Sequence, residues 1–276
     1  MTSFDDHARA IKRLLDAFFG AVSFEAGSAP TYERLPDLVM PGGLLIKNTG
    51  DTPEVATVDG FIEPRQALVD SGELTEFAEF ETHGNTELFG QVAQRLSTYG
   101  KRGVSGGAAF EGAGVISTQF VLTPAGWRIS SMAWDDVRLP LTGGCNCGAV
   151  RYEVSAPLVG ASYCHCRRCQ RRSGAAASPS AHPAPGSFRI VAGEDRLRVW
   201  KPEDGGEKWF CGECGSALFG NNPSHADPIG IRMGAFDEDP AVRPTARQFV
   251  SSAAPWEPIP KDGLPRHEQS RHAAQP

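Results

Sequence analysis

The spacing of the cysteines constrains this chain more than any other feature of its sequence. All seven lie in the second half of the 276 residues and form a C-x-C, a C-x-C-x-x-C and a C-x-x-C motif, at Cys145 and Cys147, at Cys164, Cys166 and Cys169, and at Cys211 and Cys214. Four thiolates close a tetrahedral zinc site, whereas three leave one coordination position open. Seven cysteines therefore divide into one structural zinc site and one zinc site that can still bind a ligand, which predicts two Zn²⁺ per chain.

The cysteine count and the charge of the chain narrow its cellular setting. An odd number of cysteines fits a disulfide framework poorly, and cytosolic thiols stay reduced. Asp5 and Asp6 stand where a signal peptide would carry positive charge, and no apolar run is long enough to span a membrane. The formal net charge of −6 provides no basic field for nucleic acid. We therefore expect a cytoplasmic protein that binds neither nucleic acid nor membranes.

The composition changes near residue 140. No cysteine precedes this position, and every metal motif follows it. Residues 138–144 form a short joint, and the length of the chain favours two domains. We therefore predict domains over residues 1–138 and 139–268, followed by a polar, disordered tail over 269–276.

The first domain has the pattern of helices followed by strands. Apolar residues recur at three- and four-residue steps over 4–22, with Ser3 as a candidate cap, and further helices are predicted over 32–39 and 60–70. Strands are predicted over 44–47, 73–83, 88–99, 115–122 and 127–137, with His83 to Asn85 as a hairpin turn. On the last strand, alternation places Arg128, Ser130, Met132 and Trp134 on one face. Helices before a run of antiparallel strands predict an α+β fold.

Residues 4–138 also resemble a known superfamily. The segment from Phe89 to Tyr99, the strand Gly-Val-Ile-Ser-Thr-Gln-Phe, and the segments 126–129 and 134–136 resemble the cone-shaped nuclear-transport-factor-like superfamily, which includes SnoaL-like polyketide cyclases and steroid isomerases. The resemblance implies three helices on a curved mixed sheet that encloses a pocket. Because this fold hosts enzymes, binding domains and dimerisation modules, it assigns no function by itself.

Several polar and aromatic residues of the first domain are candidates for such a pocket. They are Glu79, Glu81, His83, Tyr99, Trp134, Asp135 and Asp136. A carboxylate beside an apolar wall would have a raised pKa and could act as a base. However, Asp135 and Asp136 also fit a solvated strand end, and the aromatic residues fit a core or a dimer interface. Since spacing specifies no acid–base pair, we expect small-ligand binding or a homodimer through this domain rather than catalysis.

The second domain has a more specific resemblance. The segments Gly143–Tyr152, Tyr163–Gly174, Trp209–Phe219, 234–237 and 256–265 are similar to the glutathione-dependent formaldehyde-activating enzyme (GFA-like) family, and the similarity extends over residues 141–268. All seven cysteine positions of the family pattern are present. The resemblance implies a small, β-rich, tent-like fold that binds zinc.

The cysteines can be assigned to two zinc sites. A C-x-x-C-G knuckle directs two thiolates to one ion and needs a second pair, so Cys211 and Cys214 are predicted to join Cys145 and Cys147 in a structural site. Cys164, Cys166 and Cys169 remain for a second ion with an open position. The resemblance implies that this second ion is the catalytic one.

The residues around the second site suggest its substrate. Arg167, Arg168, Arg171 and Arg172 crowd the three-cysteine motif in an otherwise acidic chain, and guanidinium groups hold carboxylates well. Glutathione would match, with one thiol for the metal and two carboxylates for the arginines; the alternative is that some of these arginines cover a solvated face. His165 is a candidate proton shuttle or metal ligand, or it points away and bonds to the backbone.

These residues predict a zinc-dependent carbon–sulfur lyase. It would form or cleave the adduct between a thiol such as glutathione and a small aldehyde, with the open zinc holding the sulfur as thiolate or polarising the aldehyde oxygen. One alternative is a non-catalytic zinc-binding module fused to a small-ligand-binding or dimerisation domain. Another is that the first domain is the enzyme and the zinc module an accessory.

Overall fold

In the computed structural model, which describes residues 3–222 and 229–271, the first predicted helix spans Phe4–Val22 (α1). Ser3 caps it, because its hydroxyl accepts from the Asp6 amide at 3.2 Å while the Asp6 carboxylate accepts from the Ser3 amide at 3.1 Å. The apolar stripe of α1 is buried and includes Ile11, Leu15 and Phe18. The prediction of this helix is confirmed.

The chain divides into two units, Met1–Val137 and Arg138–Pro276. In the first, α1 is followed by a 3-10 turn at Tyr32–Arg34, α2 (Leu35–Leu38), β1 (Val39–Lys47), β2 (Glu54–Ala56), α3 (Val58–Asp70), β3 (Leu74–Phe89), β4 (Val92–Ser105), β5 (Ala108–Thr123) and β6 (Gly126–Asp136). Within the described residues these strands form one mixed sheet in the order β2-β1-β6-β5-β4-β3, with β1 and β6 parallel and the other neighbours antiparallel. The predicted α+β class is confirmed.

The hairpin turn predicted at His83 to Asn85 is wrong. These residues lie inside β3 and pair with residues of β4, and the turn falls at Gly90, whose φ is 59°. Gly84 instead allows the Arg95 side chain to approach β3 closely, because an added Cβ would lie 2.6 Å from a guanidinium nitrogen of Arg95. The glycine therefore makes room for a side chain from the neighbouring strand.

The face predicted for the last strand of this sheet is also wrong in part. The register between β5 and β6 shifts at Phe120, where Ser130 is the extra residue, so Ile129 and Met132 are both buried. A β-bulge moves the residues beyond it to the opposite face. Strict alternation therefore placed Arg128 and Ser130 on the wrong side.

The second unit consists of short strands around one small helix. A three-stranded sheet has the order β11-β8-β7, with β7 at Leu141–Gly144, β8 at Arg151–Val154 and β11 at Phe188–Ala192. The other described strands are β9 (Leu158–Cys164), β10 (Ser178–Pro183), β12 (Leu197–Trp200), β13 (Glu207–Cys211), β14 (Ala217–Asn221), β15 (Ile229–Arg232), β16 (Arg247–Gln248) and β17 (Arg266–His267), in the sheet order β12-β13-β14-β15-β10-β9-β16-β17. Helix α4 spans Arg167–Ser173.

Aromatic side chains join the two sheets of this unit. The ring of Tyr152 on β8 lies 5.4 Å from that of Phe188 and 5.7 Å from that of Phe236. Phe188 in turn contacts Phe219 on β14 at 5.0 Å. Edge-on and tilted pairs at these separations are favourable beyond the area that they bury.

Residues 269 and 271 form hydrogen bonds with the preceding part of the second unit. Gln269, the first residue of the predicted disordered tail, accepts a backbone hydrogen bond from Phe249 at 3.0 Å, and the Arg271 amide donates to Gln248. These bonds contradict the predicted disorder of residues 269–271. Residues 272–276 of the predicted tail lie outside the described residues. Among the helices described, none is long and apolar enough to cross a membrane.

One buried ion pair holds β3 to β4 in the first unit. The side chain of Glu81 is 3 % exposed, and its carboxylate accepts two bonds from Arg95, at 2.7 and 2.9 Å, and one from Ser97 at 2.5 Å. Burial by itself would raise the pKa of Glu81, but the bonds from Arg95 and Ser97 outweigh it and the pKa is lowered.

Arg95→Met should destabilise this unit by about 3 kcal/mol at pH 7, because it leaves the buried carboxylate with only the Ser97 hydroxyl and the Lys12 ammonium, which lies 3.6 Å away. Since the pKa of Glu81 is depressed in the folded state, the pair stabilises the fold above the ordinary pKa of a glutamate and loses its effect as pH falls through the folded value. Hydrogen exchange of β4 amides measures the loss, which should shrink in acid. The control is Arg102→Met, an exposed position on the same strand, with little change.

Candidate metal centres

Four cysteines of the second unit meet at one point. The sulfur atoms of Cys145, Cys147, Cys211 and Cys214 all lie within 4.8 Å of one another. The distance from Cys145 to Cys147 is 3.5 Å, and that from Cys147 to Cys211 is 3.8 Å. Sulfur atoms at the corners of a tetrahedral zinc site, each about 2.3 Å from the ion, are about 3.8 Å apart. This group therefore fits a closed zinc site.

Two glycine-containing turns bring these cysteines together. Cys145 and Cys147 lie between β7 and β8, in a turn where Gly148 has a φ of 77° and donates to the Cys145 carbonyl at 3.1 Å. Cys211 ends β13, and the amide of Gly215, with a φ of 76°, donates to the Cys211 carbonyl at 2.9 Å. Glycine adopts these left-handed conformations without strain. Each motif is thus a tight turn that aims two sulfur atoms at the same place.

Hydrogen bonds to sulfur support the same four-cysteine group. The Val150 amide donates to the Cys145 sulfur at 3.2 Å. The hydroxyl of Ser216 lies 3.2 Å from the Cys214 sulfur, and hydrogen bonds from Ser216 lower the pKa of Cys214 to about 6. Bonds that favour the thiolate prepare a cysteine to bind metal, because the thiolate is the ligand.

The other three cysteines form a second cluster at the start of α4. Cys164 ends β9, Cys166 is the N-cap of α4, and Cys169 lies in its first turn, with all three sulfur atoms within 4.8 Å of one another. The Cys166 sulfur accepts from the Cys169 amide at 3.4 Å. A C-x-x-C across a helix start places both sulfur atoms on one side, and the end of β9 supplies the third. Three sulfur donors fit a zinc site with an open position.

The thiols of this cluster share their protons. Hydrogen bonds from Cys164 and Cys166 hold the pKa of Cys169 far below its usual range, while contacts with Cys166 and Cys169 raise that of Cys164. The opposite signs arise because one thiolate accepts from the remaining thiols. A divalent cation would replace those protons and stabilise all three thiolates.

A cavity of about 320 Å³ opens beside the three-cysteine cluster. Its lining includes all three cysteines, polar residues such as Ser162, Ser180 and Gln248, and the cationic residues Arg168, Lys208, Arg232 and Arg271. Arg232 donates to the hydroxyls of Ser178 and Ser180 at 2.9 and 2.8 Å. Among the described residues, none forms a hydrogen bond or ion pair with the Lys208 ammonium. Burial lowers the pKa of Lys208, and the nearby cations lower it further while Cys169 opposes them.

The arginines predicted to bind substrate are placed differently from one another. Arg168 lines the cavity, although it also pairs with Asp204 at 2.7 Å. Arg167 is exposed and bonds to Gln170 on its own helix, and Arg171 is exposed; neither is among the lining residues described. Arg172 lines a neighbouring cavity that it shares with Arg232. Of the four, only Arg168 therefore lies where it can meet a ligand at the three-cysteine cluster.

His165 points away from the cluster. It is 3 % exposed, its Nε2 accepts from Arg247 at 3.4 Å, and its backbone carbonyl accepts from Gln170. Burial lowers the pKa of His165, and the charge of Arg247 adds to this effect. A neutral histidine held this way positions the loop; its placement gives no path for the proposed proton shuttle.

Sequence reasoning missed Lys208 and Arg232. Lys208 lies on β13 and Arg232 on β15, far along the chain from the three-cysteine motif. The only local signal was Lys208 three residues before Cys211, which pointed to the other cluster. The sheet order β13-β14-β15-β10-β9 is what brings these strands to the same cavity.

The candidates of the first unit fall into separate environments. Glu79, Trp134 and Asp136 line a cavity, whereas Glu81 is tied to Arg95, and Asp135 is exposed. His83 lies in β3. The Tyr99 hydroxyl, fully buried, donates to the Asp136 carboxylate, which also pairs with Lys101 at 2.6 Å. Asp136 is thus a bonded cavity residue and not a solvated strand end.

Comparison with known proteins gives matches to both halves of the chain. The family model described as glutathione-dependent formaldehyde-activating enzyme matches residues 140–252. A curated protein of Halomonas elongata with the provisional name glutathione-dependent formaldehyde-activating enzyme is 30 % identical over 105 residues, which are 36 % of this chain and 67 % of that protein.

Solved structures that resemble parts of the chain include a protein of Rhodobacter sphaeroides, 26 % identical with a TM-score of 0.31, covering 35 % of this chain and 88 % of the other. Another is a nuclear transport factor 2-like superfamily protein of Salmonella enterica serovar Typhimurium, 12 % identical with a TM-score of 0.42, covering 49 % and 94 %.

The seven cysteines lie in two clusters, and the matched residues include every one of them. Through this half, the chain belongs to the glutathione-dependent formaldehyde-activating enzyme family.

Proposed function

We propose that the second unit is a zinc-dependent carbon–sulfur lyase that forms or cleaves the adduct between an anionic thiol such as glutathione and a small aldehyde. The observation that carries this proposal is the cavity beside Cys164, Cys166 and Cys169, which combines three sulfur donors with the cations Arg168, Lys208 and Arg232. Membership of the family supports it. The proposed thiol and aldehyde are the partners of this site.

Two zinc ions would be held by the chain's own sulfur atoms. Cys145, Cys147, Cys211 and Cys214 would hold a structural ion, and Cys164, Cys166 and Cys169 a second one. Bound there, the second ion would supply Lewis-acid chemistry, lowering the pKa of a thiol or polarising a carbonyl oxygen. We propose two Zn²⁺ per chain.

The cationic side chains would hold the thiol substrate in place. Lys208 has no partner among the described residues, and Arg232 still has donor groups free of the two serine hydroxyls that it contacts. Two carboxylates of glutathione can satisfy these groups while its sulfur points at the cysteine cluster. Holding the thiol in this way converts the attack on the aldehyde into a step within one complex.

The reaction balances without an oxidant. In the forward direction the thiol S–H bond breaks, a carbon–sulfur bond forms to the aldehyde carbon, and the proton ends on the former carbonyl oxygen as a hydroxyl. The reverse reaction breaks the same carbon–sulfur bond and returns the proton to sulfur.

We also propose that residues 1–138 and 139–268 are, respectively, a SnoaL-like cone domain and a GFA-like tent domain, as the resemblances imply. The helices against a mixed sheet in the first unit and the short strands around the cysteine clusters in the second support this assignment. The cytoplasmic location stays a prediction.

The two cysteine clusters should respond differently to substitution. Cys214→Ser should release zinc from the four-cysteine site and unfold the second unit, because that ion joins turns far apart in sequence. Cys166→Ser should lose one zinc and the aldehyde–thiol activity while the unit stays folded. Metal analysis, circular dichroism and turnover measure these outcomes. Wild-type protein with one zinc, or full turnover by Cys166→Ser, would contradict the proposal.

Lys208→Met should weaken the use of anionic thiols. Removing a charge-assisted bond to a carboxylate should lower kcat/KM for glutathione about tenfold to a hundredfold. The uncharged thiol 2-mercaptoethanol should react with the variant at the wild-type rate. Arg171→Met, which removes an exposed cation from α4, is the matched control and should leave both rates unchanged. If Lys208→Met lowered kcat/KM equally for both thiols, Lys208 would not be a substrate-binding residue.

A homodimer through the first unit is a further proposal. Phe80 on β3 and Leu96 on β4 are 44 % and 54 % exposed and lie on the same face of the sheet. Light scattering should give twice the chain mass of 29.5 kDa. Leu96→Glu, which puts a charge on that face, should shift the protein to the monomer. A wild-type monomer at all concentrations tested would refute the dimer.

A further inference from the structure

The first unit contains a cavity of about 380 Å³ that the proposed lyase does not use. Much of its wall is aromatic and includes Phe18, Phe61, Phe77, Phe110 and Trp134. Phe61 contacts Trp134 edge-on at 6.0 Å and Phe18 at 6.0 Å. Cavities of this size and character suit a small, ring-containing molecule.

Most charged groups at this cavity are already paired. Lys101 pairs with Asp136 at 2.6 Å, and Lys47 with Glu54 at 3.0 Å. Arg65 lies over the Phe61 ring, 3.6 Å from its centroid, and donates to the Phe61 carbonyl at 2.9 Å. These groups need no ligand to satisfy them.

Glu79 on β3 is the exception. Its amide donates to the Ser23 hydroxyl at 3.0 Å, but its carboxylate has no hydrogen bond or ion pair with any described residue. Glu79 is half-buried and lines the cavity. Its carboxylate oxygens are acceptors that no described protein group uses, so a ligand in the cavity can supply a hydrogen bond to them.

We propose that this cavity binds a neutral, ring-containing molecule whose hydroxyl group donates a hydrogen bond to the Glu79 carboxylate. The aromatic wall takes the ring. An anionic ligand would be repelled by Glu79. The cations Lys47, Arg65 and Lys101 equal in number the carboxylates of Glu54, Glu79 and Asp136, so the cavity as a whole requires no charged ligand. A hydroxyl is neutral, and its hydrogen meets the unpaired oxygen of Glu79.

The ionisation of Glu79 makes this binding depend on pH. Burial raises the pKa of Glu79 to about 7, with Lys101 and Arg65 opposing the rise and Asp136 adding to it. The titratable and charged groups around the cavity are Tyr32, Lys47, Glu54, Arg65, Lys101 and Asp136. The hydroxyl donor prefers the ionised carboxylate, so affinity should increase as pH rises through 7. If only the ionised form binds, the gain from pH 6 to pH 8 is about tenfold.

Equilibrium dialysis of the full-length, zinc-loaded protein tests the proposal with 2-naphthol as the probe. The expected result is saturable binding that tightens about tenfold from pH 6 to pH 8. The comparison ligand is 2-methylnaphthalene, which has the same rings with a methyl in place of the hydroxyl. It should bind more weakly, with no dependence on pH.

Substitutions assign the effect to Glu79. Glu79→Gln keeps the shape and removes the charge, so 2-naphthol should lose its pH dependence and bind less tightly. Glu54→Gln, which removes a carboxylate from the same cavity, should retain the wild-type profile. Cys166→Ser should also retain it, which separates this site from the zinc cluster. No binding of 2-naphthol, equal binding of 2-methylnaphthalene, or an unchanged pH profile in Glu79→Gln would each overturn the proposal.

Discussion

The second unit depends on four sulfur atoms that meet although their motifs are far apart in the sequence. Cys147 and Cys211 are 64 positions apart, yet their sulfur atoms are 3.8 Å from each other. One motif follows β7 in the three-stranded sheet and the other ends β13 in the larger sheet, so this contact ties the two sheets together. The free energy of metal binding is then also free energy of folding, because the unfolded chain cannot assemble the site. Lys208 and Arg232 lie on β13 and β15 of the larger sheet, and β13 also carries Cys211.

Charge balance supports the proposal that the three-cysteine cluster binds an anionic thiol. Three thiolates and one Zn²⁺ would carry a net charge of −1, which the four cationic residues that line the cavity, Arg168, Lys208, Arg232 and Arg271, exceed. Arg168 is partly neutralised by Asp204, so Lys208 and Arg232 provide most of the surplus. In a chain with a formal net charge of −6, a surplus of positive charge at one cavity is a local feature. A ligand that brings carboxylates along with its sulfur removes the surplus.

The sequence predicted features that depend on residues close together in the chain. It missed features that depend on the order and register of the strands. Helix α1, the α+β class and the three cysteine motifs follow from residues that are close together in the sequence, whereas the pairing of Cys145 and Cys147 with Cys211 and Cys214 came from the ligand count of a closed zinc site. Lys208 and Arg232 could not be found this way, since only the order of five strands brings them to the cysteines. The arginines of α4 were proposed because they are near in sequence, but a helix directs successive side chains around its axis, and Arg167 and Arg171 face solvent. The bulge at Ser130 likewise left no signal in the alternation of the strand.

Among the described residues, Glu79 in the first unit and Lys208 in the second each line a cavity without a hydrogen bond or ion pair from their charged group, and the two groups have opposite charge. The other charged side chains near Glu79 and near Lys208 are paired or hydrogen-bonded. In each cavity, among the described residues, the missing partner therefore concerns a single charged group. Desolvating an unpaired charge is expensive, and a folded chain avoids it wherever a neighbour can supply the bond. An unpaired acceptor requires a donor, whereas an unpaired ammonium requires an anion. A molecule that satisfies Glu79 is therefore a poor match for Lys208, so the two proposed sites would bind chemically different ligands.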